Sequence, residues 1–165
     1  MPTEAPDLAP LVVQAWRVHD RIGLGLLAAI PDAGLQAVPA GSKGRTVARV
    51  FAHLVRVRRG WLHYHETGQR PKIPREDRDR PPSRAALREA LQESGRDVAD
   101  FLDRALHGRA RVRAFAGNPA RWMTYLISHE SHHRGQIALA LKQQGMRLPE
   151  KVAMQGLWGA WMWGK

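Results

Sequence analysis

The sequence predicts an all-α fold, a four-helix bundle formed by a single domain over residues 1–165. Three observations carry this prediction. Four stretches repeat apolar residues at helical spacing. Proline and glycine clusters separate them. Three of the four are preceded by residues suited to cap a helix N-terminus: Thr46 (or Ser42), Ser83 and Asn118. A chain of 165 residues is long enough to bury a sizeable core in one domain.

Residues 1–7 read as a frayed leader. Helix one is expected over 8–30, from the spacing of Leu8, Val12, Ala15, Ile22, Leu26 and Ala29, and Pro31 ends it. His19 falls on that stripe, as a histidine of the core or of a cavity wall. Residues 31–45 form a loop rich in proline and glycine. Helix two is expected over 46–67, with Val50, His53, Leu54, Val57 and Trp61 inward and Arg56 and Arg59 opposite. His63 falls on the polar face, and His65 near a cavity mouth.

A second loop, 68–82, carries Gly68, Pro71, Pro74, Pro81 and Pro82. Helix three, 83–107, has the apolar set Leu87, Leu91, Val98, Phe101, Leu102 and Leu106, and reads as structural. Residues 108–117 alternate briefly with period two, which suits a turn or a strand-like excursion. Asn118 then caps and Pro119 starts helix four, which runs to about Gln144 and stops at Gly145. Its inward face reads Trp122, Tyr125, Leu126, His129, His133, Ile137, Ala140 and Leu141. The tail, 146–165, contains Trp158, Trp161 and Trp163, expected to pack back on the bundle or to line a dimer contact.

Composition narrows the chemistry. There is no cysteine, so disulfides, thiolate metal sites and cysteine nucleophiles are excluded. Any metal must sit on His, Asp or Glu. The net charge of +11 comes mostly from arginines scattered over every segment, which favours an ordinary solvated surface over a nucleic-acid stripe. The start of the chain lacks the basic n-region of a signal peptide, and the apolar run Ile22–Ile30 is too short to span a bilayer. A cytoplasmic location is expected.

The chemistry concentrates in His129-Glu130-Ser131-His132-His133. His129 and His133 are four apart and lie one above the other on a helix. In a bundle they can meet His53 of helix two. Three imidazoles plus open positions are the arrangement of a catalytic metal site. Zinc is the first expectation, and nickel, iron and manganese also accept imidazole. Tyr125, one turn before His129, can direct its hydroxyl into the same cavity as a hydrogen-bond donor.

The same residues match the H-E-x-x-H pattern of zinc peptidases, with Glu130 as general base. The continuation argues against that reading, because Gln136 and Leu139 stand where metzincins need Gly and His. No G-x-S-x-G elbow or phosphate-binding loop is present.

Phe51-Ala52-His53-Leu54 and His129-x-x-x-His133-Arg134-Gly135-Gln136-Ile137 resemble motifs of the DinB-like (DinB/YfiT-like) metalloenzyme superfamily. The resemblance implies up-down-down-up connectivity, a homodimer, and a metal held by His53, His129 and His133, with His132 a non-ligating neighbour. It also implies thiol-dependent S-transfer, using a low-molecular-weight thiol as cosubstrate, or metal-dependent hydrolysis. Arg134 is expected to pair with an acid on a neighbouring helix, and Gly135 to permit close helix contact. The leading expectation is therefore a metal-dependent S-transferase acting on a small molecule. The alternatives are a hydrolase on the same site, or a non-enzymatic basic bundle that binds nucleic acid or a protein.

Overall fold

The computed structural model describes residues 6–41, 43–72 and 81–164. Most of the expected leader, the alternative cap Ser42, part of the second loop and Lys165 lie outside the described residues. Four long helices carry the fold: α1 (Ala9–Ala29), α2 (Val47–Thr67), α3 (Arg84–Leu106) and α4 (Pro119–Gln143). A π-helical segment, Lys151–Trp158, leads into the short α5 (Gly159–Trp163). No strand occurs among the described residues, and the period-two stretch is a turn closed by a 3-10 helix at Phe115–Gly117. None of the helices is long and apolar enough to cross a membrane, among the described residues.

The helix starts follow from their caps. Thr46 Oγ1 accepts from the Arg49 N–H at 3.3 Å, Ser83 Oγ from Ala86 at 3.2 Å, and Asn118 Oδ1 from Arg121 at 3.0 Å. Each satisfies a backbone donor that the first turn leaves unpaired. Gly68 ends α2 in the left-handed region, at φ 76°, and its N–H donates to the Tyr64 carbonyl. Arg84 ties the start of α3 to the end of α1 by donating to the carbonyls of Leu27 and Ile30 and to the Asp32 carboxylate.

The apolar core is in two parts. One holds Leu26, Leu27, Phe51, Leu54, Leu87, Leu91, Ile137 and Leu141. The other holds Val13, Trp16, Val98, Phe101, Leu102, Trp122 and Leu126. At the middle of the helices sits a buried polar group built on His19 of α1, Arg58 of α2 and Glu130 of α4. Arg58 donates through Nε and NH2 to the two Glu130 carboxylate oxygens, at 2.7 and 2.8 Å, and through NH1 to Asp20 Oδ1 at 2.7 Å and to the Leu91 carbonyl at 3.2 Å. Its guanidinium also lies over the Trp16 ring, 4.9 Å from the centroid.

Two expectations about histidines resolve here. His19 is a core residue: its Nδ1 accepts from Arg134 at 3.2 Å, so Nε2 carries the proton and donates to Glu130 at 2.8 Å. His65 is in the core rather than at the expected cavity mouth. It is buried, stacked on Phe101 and Trp61, and its Nδ1 accepts the Arg113 backbone N–H at 3.2 Å. Burial, helped by Arg113, holds its imidazole down at about 4.

Within the four long helices, Gly95 rather than Gly135 is the glycine of close approach. A Cβ on Gly95 would collide with the Asp20 carboxylate, which Arg58 holds in place, and the Gly95 carbonyl accepts from Trp16 Nε1 at 2.9 Å. Gly95→Ala is expected to destabilise the protein by about 1–3 kcal/mol through overpacking, against a helix-propensity gain of about 1 kcal/mol. Urea denaturation checks this, and a stabilised variant would refute it.

Candidate metal centre

His53, His129 and His133 come together between α2 and α4. Each offers one ring nitrogen, and the three nitrogens lie within 4.8 Å of one another. The rings meet edge to face, with centroids 4.6–5.3 Å apart. His133 is buried, whereas His53 and His129 are half-buried, so the cluster opens at one side. His63 is exposed, as expected. His132 is exposed too and takes no part in the cluster.

Local hydrogen bonds set the tautomers. Gln136 Oε1 lies 2.8 Å from His133 Nδ1, so that nitrogen carries the proton and Nε2 keeps its lone pair. That lone pair faces His129 Nε2 at 3.2 Å. Gln136 Nε2 in turn donates to His132 Nε2 at 3.0 Å, so one amide braces two neighbouring histidines. His129 Nδ1 is buried with no hydrogen-bond partner. Burial holds all three imidazoles below their ordinary range, His53 at about 4, and Arg45 adds its charge against each. They are neutral near pH 7, the form that ligates metal.

The residues fit a cation. At zinc–nitrogen bonds of about 2.0–2.1 Å, tetrahedral ligand nitrogens stand about 3.3 Å apart. The His129–His133 pair already has that spacing, at 3.2 Å. The two rings share one proton there, and an ion would take both lone pairs instead. At His53 the fit carries a condition. Arg56 NH2 donates to His53 Nδ1 at 3.2 Å. Ligation through Nδ1 takes that lone pair, and ligation through Nε2 leaves the proton on Nδ1. Either way the Arg56 contact gives way to the ion. Arg56, expected on the face opposite His53, instead meets His53, as a residue three positions further along a helix can.

Glu130 is no general base for this cluster. It is 2 % exposed, and both its oxygens are taken by Arg58 and His19. The peptidase reading fails on that point. Among the described residues Arg134 pairs with no acid: it donates to Ser131 Oγ at 2.7 Å and to His19. A Cβ on Gly135 would meet nothing within 4 Å among the described residues, so no helix approaches closely there.

Tyr125 is partly exposed rather than inward. Its ring stacks on His129 with centroids 5.8 Å apart. It walls a cavity of 490 Å³ beside the cluster, together with Arg56, Trp61, Tyr64, Arg70 and Pro71. Phe115 closes the aromatic wall against Trp61 and Tyr125. Phe115 and Ala116 adopt φ of 53° and 54°, a strained conformation for residues with a side chain. A smaller cavity of 190 Å³ lies on the other side, lined by Arg45, Val47, His133 and Gln136.

Sequence reasoning missed Gln136, Arg45 and Arg56. Gln136 and Arg56 each had a signal, a place three residues after His133 and His53 respectively on the same helix face. Gln136→Ala is expected to lower metal affinity by about 10–100-fold, the usual effect of losing a ligand's outer partner. Competition with a chelating dye measures it, and unchanged affinity would show that the amide does not orient His133.

The model of the DinB family matches the chain over residues 1–162. A search of curated proteins finds no match.

Proposed function

The chain belongs to the DinB family, and from that membership and the three-histidine cluster we propose that it is a metal-dependent enzyme acting on a small molecule, with His53, His129 and His133 as the ligands. The observation that carries this reading is the convergence of three neutral imidazole nitrogens beside an aromatic-walled cavity. Zinc is the first candidate, with nickel, iron or manganese as alternatives. Three protein ligands leave a position for substrate.

Bound there, a divalent ion would lower the pKa of a thiol or water. Thiol-dependent S-transfer is the preferred reaction, because the chain supplies no cysteine and the thiol must come from a cosubstrate. His133 holds its lone pair in place through Gln136. Trp61, Tyr64 and Tyr125 offer flat apolar walls to the electrophile. Tyr125 lines the same cavity and would donate a hydrogen bond there. Arg56 and Arg70 line the same space and would hold a carboxylate of either substrate.

The same reading takes the chain as one domain with up-down-down-up connectivity. Cross-helix contacts support it. Arg84 at the start of α3 meets the end of α1. Arg104 near the end of α3 meets Glu66 near the end of α2 at 2.6 Å. His65 near the end of α2 meets Trp122 near the start of α4. A homodimer, which the resemblance implies, and a cytoplasmic location, which the sequence suggests, belong to the same reading, and sedimentation tests the first.

The test is a screen of metal-loaded protein with thiols and electrophiles. Conversion that needs both metal and thiol supports S-transfer. Conversion with water alone selects the hydrolase. A protein that takes up none of the four metals overturns the whole reading.

A further inference from the structure

The face of α4 opposite the histidine cluster borders a second cavity, of 460 Å³. Its floor is a straight stripe of α4: Ile127, Ser131, Arg134, Gly135, Ala138 and Lys142. At 1.5 Å per residue the stripe is roughly 22 Å long. The π-helical segment and α5 roof it with Leu157, Trp158 and Trp161, and Ile22 of α1 adds an apolar side. The cavity is therefore elongated and mostly greasy. Its charge is one-sided. Lys142 and Arg147 line one end, no carboxylate lines the cavity, and neither cation makes an ion pair among the described residues. Gly135 keeps the floor open, since a Cβ there would meet nothing within 4 Å.

We propose that this groove binds a linear amphiphilic carboxylate of the fatty-acid class, with its head at Lys142 and Arg147 and its chain along α4 beneath Trp158 and Trp161. The arrangement matches both parts of such a ligand. The cations supply charge-assisted hydrogen bonds to the carboxylate. The aliphatic and indole surfaces, with few polar groups among them, take the chain. Arg134 borders the middle of the groove but is engaged by Ser131 and His19, so it belongs to the wall. The proposal does not rest on the metal reading, because no residue of the groove belongs to the histidine cluster.

Titration of the full chain with dodecanoate tests it, by calorimetry and by tryptophan fluorescence. Dodecanol serves as the uncharged control and acetate as the chainless one. Dodecanoate is expected to bind saturably at one site, with a change in fluorescence that Trp158→Phe and Trp161→Phe diminish. Gly135→Leu fills the groove and should weaken binding at least tenfold. Lys142→Glu with Arg147→Glu should do the same for dodecanoate but not for dodecanol. Both variants are expected to keep the wild-type metal content and melting temperature, which separates loss of the groove from loss of the fold. Absence of saturable binding would overturn the proposal, as would dodecanoate affinity indifferent to both variants. Absence of binding with a dimer that Trp158→Glu dissociates would overturn it too, and assign the face to a second copy of the chain.

Discussion

His129→Ala is expected to lower metal affinity by more than about a hundredfold, beyond the 10–100-fold typical of a lost outer partner. The argument is geometric. His129 and His133 hold a nitrogen pair already at ligand spacing, 3.2 Å, and alanine removes half of it. His53→Ala and His133→Ala should act alike, because two imidazoles cannot replace three. His63→Ala should have no effect, since that side chain is exposed and outside the cluster. His132→Ala should have little effect, because His132 is exposed and offers no nitrogen to the cluster, meeting it through the Gln136 amide and an edge-to-face contact with the His133 ring. Elemental analysis of the five purified variants, beside the parent, measures the outcome. Equal metal in all of them would mean that the three nitrogens meet for packing alone. Arg56→Met adds a test of opposite sign. Arg56 occupies His53 Nδ1 at 3.2 Å and must yield to the ion, so its removal should leave affinity unchanged or raise it. A weaker site in Arg56→Met would show that the guanidinium supports His53.

The helices and their starts were legible in the sequence because caps and breakers are local signals. Thr46, Ser83, Asn118-Pro119 and Gly68 each act through the neighbouring backbone alone. The histidine pair was legible for the same reason, as four-residue spacing on one helix is local geometry. The phase of α2 was less so. Val50, Phe51, Leu54, Val55, Val57, Trp61 and Leu62 spread over about 160° of that helix, and so broad an apolar arc fixes its centre only loosely. The buried set centres on Val47, Phe51, Leu54 and Arg58, and leaves His53 at the edge, where it meets α4 and the cavity. Arg58 and Glu130 were hidden by their own chemistry. Charged residues are rarely buried without a partner, and the partner lies 72 residues away in sequence. Glu130 stands four residues after Leu126 and three before His133, squarely on the buried face of α4. The H-E-x-x-H spelling drew it towards catalysis instead.

That placement makes α4 a helix with two tasks. His129, His133 and Gln136 build the histidine cluster, while Glu130 fixes the helix to α1 and α2 through His19 and Arg58. The two histidines are thus carried on an element whose rotation a buried ion pair restrains. Loss of that pair should be felt in stability first, and at the metal only through the changed seat of α4.

Glu130→Gln is accordingly expected to cost about 3–5 kcal/mol, the range for removing one partner of a buried ion pair. An amide has one acceptor oxygen and one donor nitrogen. Arg58 presents N–H donors to both positions, and the His19 Nε2–H points at one of them. However the amide is turned, its NH2 meets a donor, and the Arg58 charge loses its balance. In a chain of this size the loss lowers the melting temperature by roughly 6–20 °C. Acid dependence gives a second readout. Burial raises the Glu130 carboxyl, but Arg58 and His19 outweigh it and hold it at about 2, below its ordinary 4.5. The folded state therefore binds this proton less readily than the unfolded chain. Its contribution, about 3 kcal/mol by linkage, is complete above pH 4.5 and is lost as pH falls towards 2. The other groups facing Glu130 are Asp20, whose carboxyl burial raises against the pull of Arg58, the paired His19, and the cations Arg58 and Arg134. Asp20 works in the opposite direction, so the comparison must be of variant with parent. The buried His65, held at about 4, loses its own contribution as pH falls below 6.5, in both proteins alike. The stability gap between parent and Glu130→Gln, measured by urea denaturation of the metal-free proteins, should stay constant from pH 7 to about 5 and narrow below 4.5. A gap that is constant down to pH 2.5, or absent at pH 7, would show that the carboxylate does not hold α4 through Arg58.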